Sequence, residues 1–158
     1  MNKTITAMLV SVLAVACQPP ATGNKGAAIQ FLHMPGTEGI GLPFSSAVRV
    51  DNTIYLSGVI GLEPGTQRPA EGGIQAEARA AMETIRETLE TFGSSMDRVV
   101  KCTVFLADES DRDAFNEIYM SYFDTLPARS GVTVKGLALG ARAEVECIAI
   151  ANVRVTAP

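Results

Sequence analysis

The sequence predicts an α+β domain of two layers, a mixed β-sheet with two helices on one face. Two observations carry this expectation. Short β-rich runs recur at residues 47–50, 53–60, 99–106, 129–134 and 143–155. Two intervening segments, 74–92 and 111–126, place apolar residues three and four apart, the spacing of a helix with one buried face. The order β-β-α-β-α-β-β suits a largely antiparallel or mixed sheet.

The chain opens on an expected export signal. Lys3 supplies a positive start, and Ile5 to Ala16 is a mostly apolar run of about twelve residues, well short of the roughly 20 that span a bilayer core. It ends Leu13-Ala14-Val15-Ala16-Cys17, small residues before a cysteine that resemble a bacterial lipobox. Lipidation would make Cys17 the mature N-terminus; ordinary cleavage after Ala16 is the alternative. Gln18 after the cysteine points to the outer membrane under the Gram-negative sorting pattern. The expected location is therefore the periplasm or envelope, with membrane contact through a lipidated Cys17. Residues 18–28 (QPPATGNKGAA) read as a flexible tether, and residues 29–158 as a single domain.

Within that domain, Asp51-Asn52 suits a tight turn between the first two strands. Residues 63–73 are a Gly/Pro-rich loop. On the first helix Ile74, Ala78, Ala81, Met82, Ile85, Leu89 and Phe92 share a face, and Gly93 follows as a C-cap. The run VVKCTVFL at 99–106 is a strand. The second helix, 111–126, turns Phe115, Ile118, Tyr119, Tyr122 and Phe123 inward, and Pro127 stops it.

Composition narrows the function. Of 158 residues 47% are hydrophobic, and the net charge is −4, which excludes a disordered chain and supplies no basic stripe for nucleic acid. Three cysteines are too few for a disulfide scaffold, and with a single histidine, His33, no His/Cys metal site is expected. Gly36, Gly39 and Gly41 are read as having neither a strand before them nor a helix after, so a dinucleotide loop is not expected. Asp108, Glu109, Asp111 and Asp113 sit where the second helix begins and are read as capping and dipole-complementing groups. Cys102 and Cys147 lie mid-strand among apolar neighbours and read as buried free thiols, or as a disulfide if their strands are adjacent.

The last third holds the most informative pairing. Leu126-Pro127-Ala128-Arg129-Ser130 leads from helix into strand, and Ala143-Glu144-Val145-Glu146-Cys147-Ile148-Ala149-Ile150 follows. Upstream stand Pro43-Phe44-Ser45-Ser46-Ala47-Val48, Tyr55-Leu56-Ser57-Gly58, the strand 99–106 and Phe115-Asn116-Glu117-Ile118-Tyr119. In this order the segments, over about residues 30 to 152, resemble the Rid family, also called the YjgF type. The resemblance implies a chorismate-mutase-like fold, a homotrimer with a cleft at each subunit interface, and no cofactor. It implies hydrolysis of enamines and imines of the 2-aminoacrylate/2-iminopropanoate type to 2-keto acids and ammonia.

By that resemblance Arg129 binds the substrate carboxylate, for which a guanidinium fork is suited. A salt bridge to Asp124 or another acid is the alternative. Glu144 and Glu146 share a strand face by period two, and the resemblance places Glu144 beside the catalytic water. An ion pair with Arg142 or Arg129 is its alternative. Ser57 is a candidate hydrogen-bonding group, or a plain strand-end hydroxyl. Phe44 stands where the family has tyrosine and walls the pocket without a hydroxyl. Asn116 matches a family asparagine in an orienting or structural role. Gly131 replaces a family cysteine and widens the pocket; Val59 and Ser46 replace family glutamines. Three functions stay open: an exported imine deaminase, a non-catalytic trimeric module binding small carboxylates, and an envelope scaffold with a relic cleft.

Overall fold

The computed structural model describes residues 26–37 and 41–152. The export signal, Cys17, residues 18–25 and Gly39 lie outside them. One mixed sheet contains β1 (Ile29–Leu32), β2 (Ala47–Val50), β3 (Thr53–Leu56), β4 (Val59–Ile60), β5 (Val99–Leu106), β6 (Ala128–Thr133) and β7 (Ala143–Ile150). The helices are α1 (Ile74–Thr91) and α2 (Arg112–Met120). The strand order is β1-β2-β3-β7-β5-β6, with β4 also pairing with β7. β5 and β6 run parallel, joined through α2, and the other pairs are antiparallel.

β7 organises the layers. Ala143, Val145, Cys147 and Ala149 are at most 1% exposed. They pack in one core with Ala78, Met82, Ile85 and Leu89 of α1 and Phe115 and Tyr119 of α2. Period two sends Glu144, Glu146, Ile148 and Ile150 to the opposite, helix-free face. The face expected on α1 is buried from Ile74 to Leu89. Its end is a Schellman turn: Gly93, at φ +78°, allows Ser94 N–H to reach Leu89 O at 2.7 Å. The expected β2–β3 turn forms with Asp51 in the left-handed region, and the Asp51 carboxylate accepts from Ala28 N–H at 3.0 Å.

Five local expectations are corrected. β1 pairs with β2 from Ile29↔Val50 to Leu32↔Ala47 and precedes the glycine cluster. The next element is another strand, so a dinucleotide turn still lacks its helix. The run 53–60 is two strands, interrupted at Ser57-Gly58, where Ser57 N–H still donates to Ser46 O on the β2 side while the pairing with β7 lapses until Val59. α2 stops at Met120 because Ser121, Tyr122 and Phe123 make tight i→i−3 backbone bonds. That turn lets the Tyr122 hydroxyl reach Glu83 on α1 at 2.8 Å. β7 ends at Ile150, since Ala151 and Asn152 N–H donate to Asn52 O and Gly93 O; residues 153–155 of the expected strand lie outside the described residues. Finally, Cys102 and Cys147 are a disulfide rather than free thiols: they face each other across β5 and β7 with Cα atoms 4.1 Å apart.

The acidic cluster divides its roles. Asp108 accepts from Ser110 N–H at 2.8 Å as a cap. Asp111 instead binds Arg142 through two hydrogen bonds of 2.9 and 2.6 Å. The exposed α1 face carries the expected ion pairs of Arg86 with Glu83 and Glu90.

Candidate functional site

The predicted site residues gather in two places. The first is a cavity of about 330 Å³ lined by Phe44, Ser57, Gly58, Ile60, Ala138 and Glu144. The break between β3 and β4 builds it. Ser57 Oγ donates to Ser45 O at 2.7 Å. Its proton is thereby committed to the backbone, and its lone pairs remain able to accept from a ligand N–H.

Gly58 is required by its neighbour. A Cβ there would lie 1.9 Å from Glu144 Oε1, so the carboxylate rests against bare backbone. Glu144 pairs in register with Ile60 and Phe105, which fixes it on the helix-free face. Its carboxylate has no ion-pair or hydrogen-bond partner among the described residues. Arg142, one of its alternative partners, is held by Asp111.

The second place is the exposed face of β6 on the side where α2 lies. Cys102↔Arg129, Val104↔Gly131 and Leu106↔Thr133 are register partners, so Arg129, Gly131 and Thr133 share the helix-facing side of the sheet. The Arg129 guanidinium carbon lies 4.8 Å above the centre of the Tyr119 ring, a cation–π contact. The alternative salt bridge to Asp124 does not form. Asn116, one turn before Tyr119 on α2, has a buried Oδ1 without a partner, as does the Tyr119 hydroxyl. Burial, opposed by the nearby Arg129 charge, pushes the Tyr119 phenol above its ordinary value.

Gly131 has a close neighbour that sequence reasoning missed. A Cβ at this position would stand 3.3 Å from Nη1 of Arg112. Arg112 gives its other edge to Glu109, Nε to Oε1 at 2.6 Å and Nη2 to Oε2 at 2.7 Å. Thr133 Oγ1 adds a bond to Glu109 Oε2 at 2.5 Å. These donors hold the Glu109 carboxyl at about 2, far below the ordinary range. The signal was present in the sequence: Arg112, Asn116 and Tyr119 stand at i, i+4 and i+7, one face of a helix.

Phe44, Ser57 and Glu144 are thus brought together, and Arg129, Asn116 and Gly131 are brought together, but on opposite faces of the sheet. Among the described residues no cluster of His, Cys, Asp or Glu is arranged to hold a metal ion.

The mixed sheet with two helices on one side is the α+β fold of Rid-type proteins. The chain belongs to the family described as Endoribonuclease L-PSP, whose model matches residues 39–151. The 2-iminobutanoate/2-iminopropanoate deaminase of Mus musculus is 45% identical over 109 residues, 68% of this chain and 81% of that protein. YyfA of Yersinia pestis, a structure from the conserved Rid protein family, superposes with a TM-score of 0.71 at 32% identity, covering 78% of this chain and 99% of that one. TdcF of E. coli with bound serine gives a TM-score of 0.65 at 31% identity, covering 70% and 89%.

Proposed function

We propose that this protein is an imine deaminase, hydrolysing 2-aminoacrylate/2-iminopropanoate-type intermediates to 2-keto acids and ammonia in clefts between the copies of a homotrimer. One observation carries the reading: two charged groups of opposite sign without an ion-pair partner, Arg129 and Glu144, stand on opposite sheet faces. A single small substrate meets both when the Arg129 side of β6 in one copy abuts the Glu144 cavity of another. The helix-free face supports such assembly, since β1 and β3 expose Phe31 and Tyr55 there at 69% and 45%. The names of the deaminase relatives supply the reaction class.

The chemistry follows from the groups. Arg129 holds the carboxylate in a bidentate fork while the Tyr119 face keeps the guanidinium in place. Ser57 accepts from the imine N–H. Glu144 receives a proton from a water as its oxygen adds to the imine carbon, and that proton passes to the nitrogen. Collapse of the carbinolamine then expels ammonia and leaves the ketone, so imine and water become keto acid and ammonia. No metal or organic cofactor enters this scheme. A nuclease activity, suggested by the family description, finds less support: the net charge is −4, and His33 lies outside both clusters.

The non-catalytic reading keeps Arg129 as an anchor for small carboxylates without turnover. The pocket substitutions Phe44, Val59 and Gly131 favour it. The deciding experiment is ammonia release from freshly generated 2-iminopropanoate by the full chain, beside Arg129→Ala and Glu144→Gln. Acceleration by wild type alone is the expected result. Carboxylate binding by folded wild type with no acceleration over buffer would reject the deaminase.

From the export signal and the lipobox-like run before Cys17 we infer that the protein lies in the envelope, anchored through Cys17. The Cys102–Cys147 disulfide supports an oxidising compartment. Mass spectrometry of the mature N-terminus tests the anchor: a diacylglyceryl group on Cys17 is expected, and an unmodified start there would overturn it.

A further inference from the structure

We infer that Arg112 is a second anchor beside Arg129, and that the preferred substrates are 2-imino acids carrying a second carboxylate on a short side chain. This rests on the deaminase reading and deepens it. Three features of the β6 face carry it.

The first is orientation. Glu109 occupies Nε and Nη2 of Arg112 and leaves Nη1 facing Gly131 with no hydrogen bond to a described residue. A guanidinium gripped along one edge offers its remaining N–H groups in a fixed direction. Thr133 donates to Glu109 in turn, so Arg112 is held by Glu109 directly and by Thr133 through it.

The second is close approach. Gly131 has no side chain, and Nη1 of Arg112 lies directly above it. A larger residue there would press on this donor, whereas glycine lets Nη1 lie close against β6 beside the Arg129 position. The Arg112 side chain is 35% exposed, enough to meet a ligand and too little to wander freely.

The third is spacing. Arg129 and Gly131 are two residues apart on one strand face, a separation of roughly 6.6 Å along β6. Arg129 and Arg112 flank that interval on the same side of the sheet. A substrate whose α-carboxylate sits on Arg129 would direct a four- or five-carbon chain towards Nη1 of Arg112. A second carboxylate then finds a charged donor, whereas a methyl group leaves that donor empty.

The test compares imines made in situ by amino-acid oxidases from alanine, aspartate and glutamate, using the full chain. Wild type should favour one of the two dicarboxylate imines over 2-iminopropanoate by about tenfold in kcat/KM, the size of one charge-assisted bond. Arg112→Gln should abolish that ratio, and Arg112→Lys should restore part of it. Calorimetry with 2-oxoglutarate, oxaloacetate and pyruvate reads the same preference without turnover. No preference in wild type, or a preference that survives Arg112→Gln, overturns the inference. If no imine turns over but a dicarboxylate binds in an Arg112-dependent way, the deaminase reading fails and the second anchor stands.

Discussion

Gly58 and Glu144 occupy each other's space: a methyl group on Gly58 would sit 1.9 Å from the Glu144 carboxylate oxygen. The neighbour is the far end of a side chain, which can swing, so Gly58→Ala should fold and lose position rather than stability. We expect imine hydrolysis to fall about 10- to 100-fold from misplacement of one carboxylate. Gly61 is the control, because its Cβ would meet the Glu77 backbone oxygen at the same 1.9 Å. Gly61→Ala should therefore lower the melting temperature. Full activity in Gly58→Ala would remove Glu144 from the site.

Tyr119 separates a ring effect from a hydroxyl effect. Its hydroxyl is buried without a partner, and its ring lies under Arg129. Tyr119→Phe should leave stability unchanged or raise it by about 1 kcal/mol, since an unsatisfied polar atom is removed. Tyr119→Leu should raise KM several-fold by freeing the Arg129 guanidinium. Denaturant titration and steady-state kinetics on the two variants distinguish these effects; equal KM values would show that the ring contact is incidental.

The disulfide makes a separate demand. Cys102 and Cys147 are separated by 45 residues in sequence. Closing a loop of that size constrains the unfolded chain by about 4 kcal/mol in the loop-entropy account. The Cys102→Ala/Cys147→Ala variant should unfold at clearly lower denaturant than the oxidised wild type, and a strong thiol reductant should bring wild type towards it. Identical midpoints would mean that packing of β5 on β7 suffices alone.

One carboxyl and one phenol set opposite pH limits. The hydrogen bonds from Arg112, then from Thr133, hold Glu109 at about 2. Its contribution is complete above the ordinary carboxylate value of 4.5 and is lost as pH falls towards 2. Thr133→Val should weaken the acid limb, read as a smaller loss of stability between those values than wild type shows. Burial, then the Glu83 hydrogen bond, pushes Tyr122 up to about 12. That stabilisation is present below pH 10 and disappears as pH rises towards 12. Ultraviolet titration should show a phenolate step near 12 that Tyr122→Phe removes.

Much of this molecule was legible in the sequence. The apolar faces of α1 and β7 follow periods of 3.6 and 2 that burial imposes directly, and Gly93 ends α1 as its position after the helix implied. β1 left no such trace, because three of its four residues are exposed in the single chain and nothing requires them to alternate. The end of α2 was misplaced because the apolar spacing continues through Tyr122 and Phe123, which reach the core from a turn.

The candidate site divides in the same way. Phe44, Ser57, Asn116, Arg129, Gly131 and Glu144 could be picked out one by one, since their types and neighbours survive in the linear order. Their distribution over two faces could not. It depends on the β5–β6 register, which turns Arg129 towards Tyr119, and on the β5–β7 register, which turns Glu144 away. The same registers seat Cys102 opposite Cys147 and lift Arg112 over Gly131. Local sequence determined the elements and their buried faces through short-range periodicity; strand register, which joins residues tens of positions apart, decided which charges can meet one substrate.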